Sequence, residues 1–262
     1  MSTAAYIHGT TPDEQERLAT LNRLTNAAFL DYLGLAGQQR VLEVGSGLGV
    51  LTGAVAMRLP SAYVLGVEYA AAQLARAPRT PAHLGFCRGD GLHLPVGTAR
   101  FDLAYCRYLL EHVPNPGRVL AEMHRALRPG GRICLQENDI LVVDFYPECP
   151  RFARAWRKFC RLQTRLGGDA RVGRRLFPLL QAAGFEEIRL SLQPEVHTSG
   201  MESFEPWVEN LRTILMAAGP NLQRHGLADA AELAAAAAEL RAFQARGDAT
   251  ALFYWNRAAA RR

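Results

Sequence analysis

Residues 41–51 read VLEVGSGLGVL. A short Val/Leu run enters a turn with glycine at 45, 47 and 49, and Glu43 stands two places before the first of them. Glycine accepts backbone conformations closed to other residues, so a ligand can lie against the bare chain of such a turn. A dinucleotide fingerprint, G-x-G-x-x-G, needs a third glycine at the sixth place, where Val50 stands instead. There is no G-K-[ST] either, hence no P-loop lysine for a triphosphate. What remains is E-x-G-x-G-x-G, in which the acid beside the turn can accept a hydrogen bond from a cationic ligand group.

Working outward, short apolar runs alternate with helical patterns. RVLEVGS, AYVLGVE, LGFCRGD, FDLAYCR and RICLQEN read as strands, with GVLTGAVAMRLP and GRVLAEMHRALRPGG as helices among them. Continuous apolar strands are buried on both faces by crossover helices, which predicts a doubly wound, mostly parallel α/β sheet. FEEIRLSLQ alternates as an edge strand does, with Ile188, Leu190 and Leu192 on one side, and ALFYWNRAA reads as a seventh and last strand. Upstream, Thr11 as N-cap, Pro12 and Glu14 open a helix of roughly 20 residues carrying Leu18, Leu21, Thr25 and Ala28 on one face, with Gly34 ending it. RFARAWRKFCRLQTRL lies outside the alternation and is amphipathic: Phe152, Ala155, Trp156, Phe159 and Leu162 share one face. Its arginines, with Lys158, read as a solvated face. The alanine-rich ADAAELAAAAAELRAF reads as an ordinary helix.

The 262 residues carry 49% hydrophobic and 21% charged side chains, enough for one sizeable core. No apolar run approaches the roughly 18 residues of a membrane span, and the first residues lack a basic stretch followed by an apolar one. A cytoplasmic protein with no membrane partner is therefore expected. The five cysteines are widely spaced with no C-x-x-C pair, so reduced thiols and no metal site are expected. The net charge of +5 is carried almost wholly by arginine, Lys158 being the single lysine. No interleaved basic and aromatic surface of the kind that stacks on bases is evident, so no nucleic-acid partner is expected.

The turn VLEVGSGLGVLT resembles the signature of class I S-adenosylmethionine-dependent methyltransferases, and the resemblance runs strand by strand over residues 40–137. It implies a Rossmann-like seven-stranded sheet and S-adenosylmethionine as cofactor. It implies further that Glu43, Gly45, Ser46, Gly47 and Gly49 hold the methionine part. Glu68, at the end of the second strand and 23 residues after Gly45, matches the acid that binds the ribose, with Tyr69 packing on the adenine. Asp90, a further 22 residues on, matches the acid that meets the adenine amine, with Gly91 and Leu92 beside it. Cys106 and Arg107 match the strand that passes the sulfonium. Independently of the resemblance, an acid about 20 residues past a glycine turn is where a ribose lies in a βαβ nucleotide site.

Ligands of open α/β sheets sit beyond the carboxyl ends of the strands. The expected organisation is a helical lid at 1–36, a core at 37–139 continued by 171–198 and 250–262, and helical caps at 140–170 and 199–249. In similar small-molecule methyltransferases such additions cover the substrate, which implies a small acceptor methylated on O, N or C, with a homodimer left open. Candidate catalytic residues are His8, His112 and Glu137, and candidate substrate contacts are Tyr6, Asp139, His197 and Trp207; Asn138 and Arg107 stand at the same mouth. Two alternatives stay open: a cofactor-binding protein that runs a rearrangement or cyclisation without methylation, and an RNA-modifying protein that uses the arginine face.

Overall fold

A computed structural model describes residues 26–262. Thr11, Pro12, Glu14, Leu18, Leu21 and Thr25, expected on the first helix, and the site candidates Tyr6 and His8 lie outside the described residues. Ala28 falls in α1, the helix seen through residues 26–32.

The core alternates as its apolar runs require. Strands β1 (Arg40–Val44), β2 (Tyr63–Glu68), β3 (Leu84–Arg88), β4 (Phe101–Arg107) and β5 (Leu127–Glu137) pair in parallel in the order β3-β2-β1-β4-β5. The helices between them are α2 (Val50–Arg58), the single turn α3 (Ala71–Leu74) and α4 (Pro116–Ala126). Asn115 caps α4 by accepting the Arg118 N–H at 3.0 Å, and Pro116 takes the first helical position, where no N–H is needed. Beyond β5 come β6 (Asp144–Tyr146), α5 (Pro150–Arg165), α6 (Leu176–Ala182), β7 (Glu186–Thr198), α7 (Phe204–Ala217), α8 (Gly219–Arg224), α9 (Ala230–Gln244) and β8 (Thr250–Arg261). β8 runs antiparallel between β5 and β7, so β7 is the edge strand. The described residues thus hold the seven strands read from the sequence and an eighth, the three-residue β6, which pairs with the first residues of β8.

Side chains alternate across the sheet and bury two separate layers. Val41, Leu103 and Tyr105 face α1 and α2 through Phe29, Leu33, Leu51 and Val55. Leu42, Ala104 and Cys106 face α4 and α6 through Leu120, Met123, Leu176 and Leu180. A third cluster joins α5, α7, α8 and α9 to β6 and the start of β8, around Phe152, Phe159, Phe204 and Leu240. The five apolar positions read on α5 are all buried there. A capping box between Asp229 and Glu232 starts α9. Among the described residues no helix is long and apolar enough to cross a membrane.

Phe152 makes edge contact with Phe145 and stacks on Trp156 in that third cluster. Phe152→Ala is expected to cost about 3–5 kcal/mol of stability, read from urea unfolding, because a fully buried ring leaves a cavity that the helices fill only in part.

Candidate active site

The glycine turn is folded over the end of β2. The N–H groups of Gly45 and Ser46 both donate to Val67 O, at 2.8 and 3.1 Å. Gly45, Gly47 and Gly49 take φ values of 75°, 55° and 72°. At Gly49 a Cβ would also lie 2.6 Å from the Phe86 ring, and at Gly45 2.9 Å from Leu109 Cδ1, so space as well as conformation demands glycine. Glu68, the last residue of β2, accepts the Gly47 N–H through Oε2 at 2.9 Å and the Ala70 N–H through Oε1 at 2.7 Å. Its carboxylate ties the first turn to the second. Asp90, past β3, accepts the Leu92 N–H at 2.9 Å. Glu43 is nearly buried, accepting the Thr52 hydroxyl at 2.5 Å and the Tyr105 hydroxyl at 3.0 Å. Burial, only partly offset by those two bonds, pushes its carboxyl up to about 7.

These groups form one side of a cavity of about 650 Å³. Of the residues expected to hold a cofactor, Glu43, Gly45, Ser46, Gly47, Glu68, Tyr69, Asp90, Gly91, Leu92 and Arg107 line it. Gly49 and Cys106 do not: Gly49 is the N-cap residue just before α2, and the Cys106 thiol points to Glu137 Oε1 at 3.6 Å. Tyr69 stands 57% exposed. Ser46 Oγ is buried without a hydrogen-bond partner. An adenosyl amino acid needs acceptors for its hydroxyls and amines and donors for its carboxylate. Two carboxylates, an unpartnered hydroxyl and bare turn backbone supply that set.

The facing wall comes from the β4 exit and from α5, α7 and β8. Tyr108, Trp156, Phe159, Trp207, Phe253 and Trp255 make it aromatic. Glu111 supplies a carboxylate held from behind by amides: Asn138 Nδ2 donates at 2.6 Å and Gln163 Nε2 at 3.2 Å. His112 also lines the cavity, its Nε2 3.8 Å from Glu111 Oε1. Arg107 lies over the Phe29 and Tyr108 rings and donates to Asn26 Oδ1.

Of the expected acceptor-side residues, His112 and Trp207 reach this wall, as does Asn138; three others are placed off it. Glu137 is fully buried beneath the β4 exit, where its Oε1 accepts the N–H groups of Leu109 and Leu110, each at 3.1 Å. Burial, and next the field of Glu111, push its carboxyl up to about 8. Asp139 pairs with Arg171 and Arg174. His197 stacks on Trp207 and lines a separate cavity of about 220 Å³, with Trp255 shared between the two. Sequence reading passed over Tyr108, Glu111, Trp156, Gln163 and Trp255. An acid beside His112 at a strand exit was the available signal for Glu111. Trp156 reads as part of an apolar helix face and Trp255 as part of a strand, Gln163 carries no signal, and Tyr108 shows itself only through φ 56°, a conformation non-glycine residues rarely hold.

Residues 42–135 match the family model described as a methyltransferase domain. The chain is 31% identical over 185 residues to an uncharacterised 37.1 kDa protein encoded in a Streptomyces fradiae transposon, covering 66% of this chain and 52% of that one. It is 38% identical over 98 residues to trans-aconitate 2-methyltransferase of Deinococcus radiodurans, covering 37% of each. It is 31% identical over 123 residues to a ubiquinone/menaquinone biosynthesis C-methyltransferase of Dinoroseobacter shibae, covering 45% of this chain and 49% of that one. The chain thus spans about half or less of the length of the curated relatives it matches. Among solved structures, a Bacillus halodurans protein described as a methyltransferase superposes with a TM-score of 0.58 at 18% identity, over 90% of this chain and 97% of that one. The [4+2]-cyclase SpnF gives 0.55 at 22% identity, over 92% and 81%. At such identities these two establish likeness of fold.

A carboxyl raised from its ordinary value holds its proton more tightly folded than unfolded, so Glu137 lowers stability progressively as pH climbs from about 4.5 to about 8. Glu137→Gln keeps an acceptor for the two N–H groups and removes that titration. The Tm of the variant relative to the unmutated protein should therefore rise between those pH values; a difference that stays flat contradicts the assignment.

Proposed function

We propose that the chain is a class I S-adenosylmethionine-dependent methyltransferase, a reading supported by the methyltransferase-domain model that residues 42–135 match, and that it moves a methyl group to an O, N or C atom of a small molecule. One cavity carries this reading: the Gly45 turn with Glu68 and Asp90 forms one end, and Glu111, His112 and the cap aromatics form the other. When bound, S-adenosylmethionine supplies a methyl group already activated for displacement. Glu68 and Asp90 would hold its ribose and adenine, and the turn with Ser46 its amino-acid end. Curated relatives named for small acceptors support the acceptor class, and the helical caps at 140–170 and 199–249 would select the acceptor. The reaction is assigned to the cytoplasm, without a nucleic-acid partner.

The rest of the work is positioning. The chain must hold the acceptor atom in line and exclude water, an effect that supplies on the order of 7–11 kcal/mol. Leu109 packs against Gly45 while Glu111 is clamped to Gln163 of α5, so the β4 exit couples the two ends of the cavity. His112 would take the proton of an acceptor that keeps one at neutral pH, and Glu111 would orient it.

Acceptor-dependent formation of S-adenosylhomocysteine in step with a product heavier by one methyl group is the expected result in a mass-spectrometric assay. His112→Ala should lower kcat roughly 10²–10⁴-fold for a proton-bearing acceptor while leaving cofactor affinity in place. Product formed with no consumption of S-adenosylmethionine would overturn the reading in favour of a rearrangement.

A further inference from the structure

The acceptor end of the cavity has a charge and a surface that together name a ligand chemistry. Glu111 is 4% exposed, lines the cavity, and takes its side-chain hydrogen bonds from the neutral amides of Asn138 and Gln163. Among the described residues no arginine or lysine forms an ion pair with it. Its nearest basic group is His112 Nε2 at 3.8 Å, charged only when protonated. Arg107, which also lines the cavity, donates to Asn26 Oδ1 and lies over the Phe29 and Tyr108 rings. Arg171 and Arg174 are paired with Asp139. Buried carboxylates are ordinarily matched by a cation, since two neutral donors stabilise the charge without cancelling it. Among the described residues no cation matches Glu111, and the residue borders a cavity.

The remaining wall is suited to the same ligand. Aromatic faces attract cations through their quadrupole, most strongly where water is excluded, and they offer nothing to an anion. Trp156, Phe159, Trp207, Phe253 and Trp255 come from three elements and surround one space with Tyr108. A carboxylate acceptor, or a phenolate, would meet repulsion on this wall.

We propose that the acceptor is an amine that docks as its ammonium ion, held by the Glu111 carboxylate against the aromatic wall. This rests on the cavity being a methyl-acceptor site, and it narrows the acceptor atom to nitrogen. The Glu111–His112 pair is then the place where an amine proton is left before nitrogen can use its lone pair.

All three tryptophans of the chain line this cavity, so their fluorescence reports its occupancy. The probes are trimethylphenylammonium and its uncharged isostere tert-butylbenzene, titrated into protein saturated with S-adenosylhomocysteine. The cation is expected to bind at least about tenfold more tightly than the isostere, with Glu111→Gln reducing that preference to what the aromatic wall alone gives; a preference left unchanged in the variant overturns the carboxylate's role. Equal affinity, preference for the isostere, or binding of neither overturns the proposal. Should Glu111→Gln fail to fold, the two probes on the unmutated protein still decide. Calorimetric binding of S-adenosylhomocysteine in the same samples separates the two inferences. Cofactor bound without cation preference removes only the amine, whereas cation preference without cofactor binding removes methyl transfer and leaves a cation site.

Discussion

The hydrogen bonds from Gly47 and Ala70 to the Glu68 carboxylate hold the rest of the site in place. Together with the Gly45 and Ser46 N–H groups on Val67 O, they join the turn after β1 to the exit of β2. The left-handed Gly47 turns its N–H toward this half-buried carboxylate, and Ala70 supplies the second donor. With the turn fixed, Gly45 can receive Leu109 and Gly49 can receive Phe86 with no side chain between. The cavity floor follows from these contacts.

The opposite wall depends on a second carboxylate pair at the β4 exit. Glu137 fixes the backbone of Leu109 and Leu110 from below, and Glu111 reaches across to Asn138 and Gln163. That arrangement couples the sheet to α5 and so to the cap cluster. It also leaves two acids close together in a nearly dry place, which is why the Glu137 carboxyl rises to about 8. Stability is given up there for a rigid strand exit.

Most of the sheet was legible because burial on both faces leaves a local mark. RVLEVGS and FDLAYCR read as strands, and they occupy β1 and β4 at the centre of the sheet. The glycine turn, Glu68 and Asp90 were legible for the same reason, since each sits at a fixed step from a strand end. β6 was not, because three residues paired to a distant strand leave no periodicity. On the acceptor side, Glu137, Asp139 and His197 had the right residue types at strand ends, yet their side chains turn to Leu109 and Leu110, to Arg171 and Arg174, and to Ser203. Trp156 reads as part of an apolar helix face and Trp255 as part of the last strand; both are buried and both are also cavity wall, a double role that arises only where α5 and β8 border one cavity. Residues about a hundred positions apart that meet at one cavity, as Trp156 and Trp255 do, are invisible to spacing.

The claim beneath all of this is that the first turn names the ligand. Calorimetric titration of S-adenosylhomocysteine and of NAD into the unmutated protein and into Glu68→Ala tests it directly. One-to-one binding of S-adenosylhomocysteine, at least about tenfold weaker in the variant, with no heat from NAD, is the predicted result. Binding of NAD in place of S-adenosylhomocysteine, or an affinity for S-adenosylhomocysteine that Glu68→Ala leaves unchanged, would contradict it.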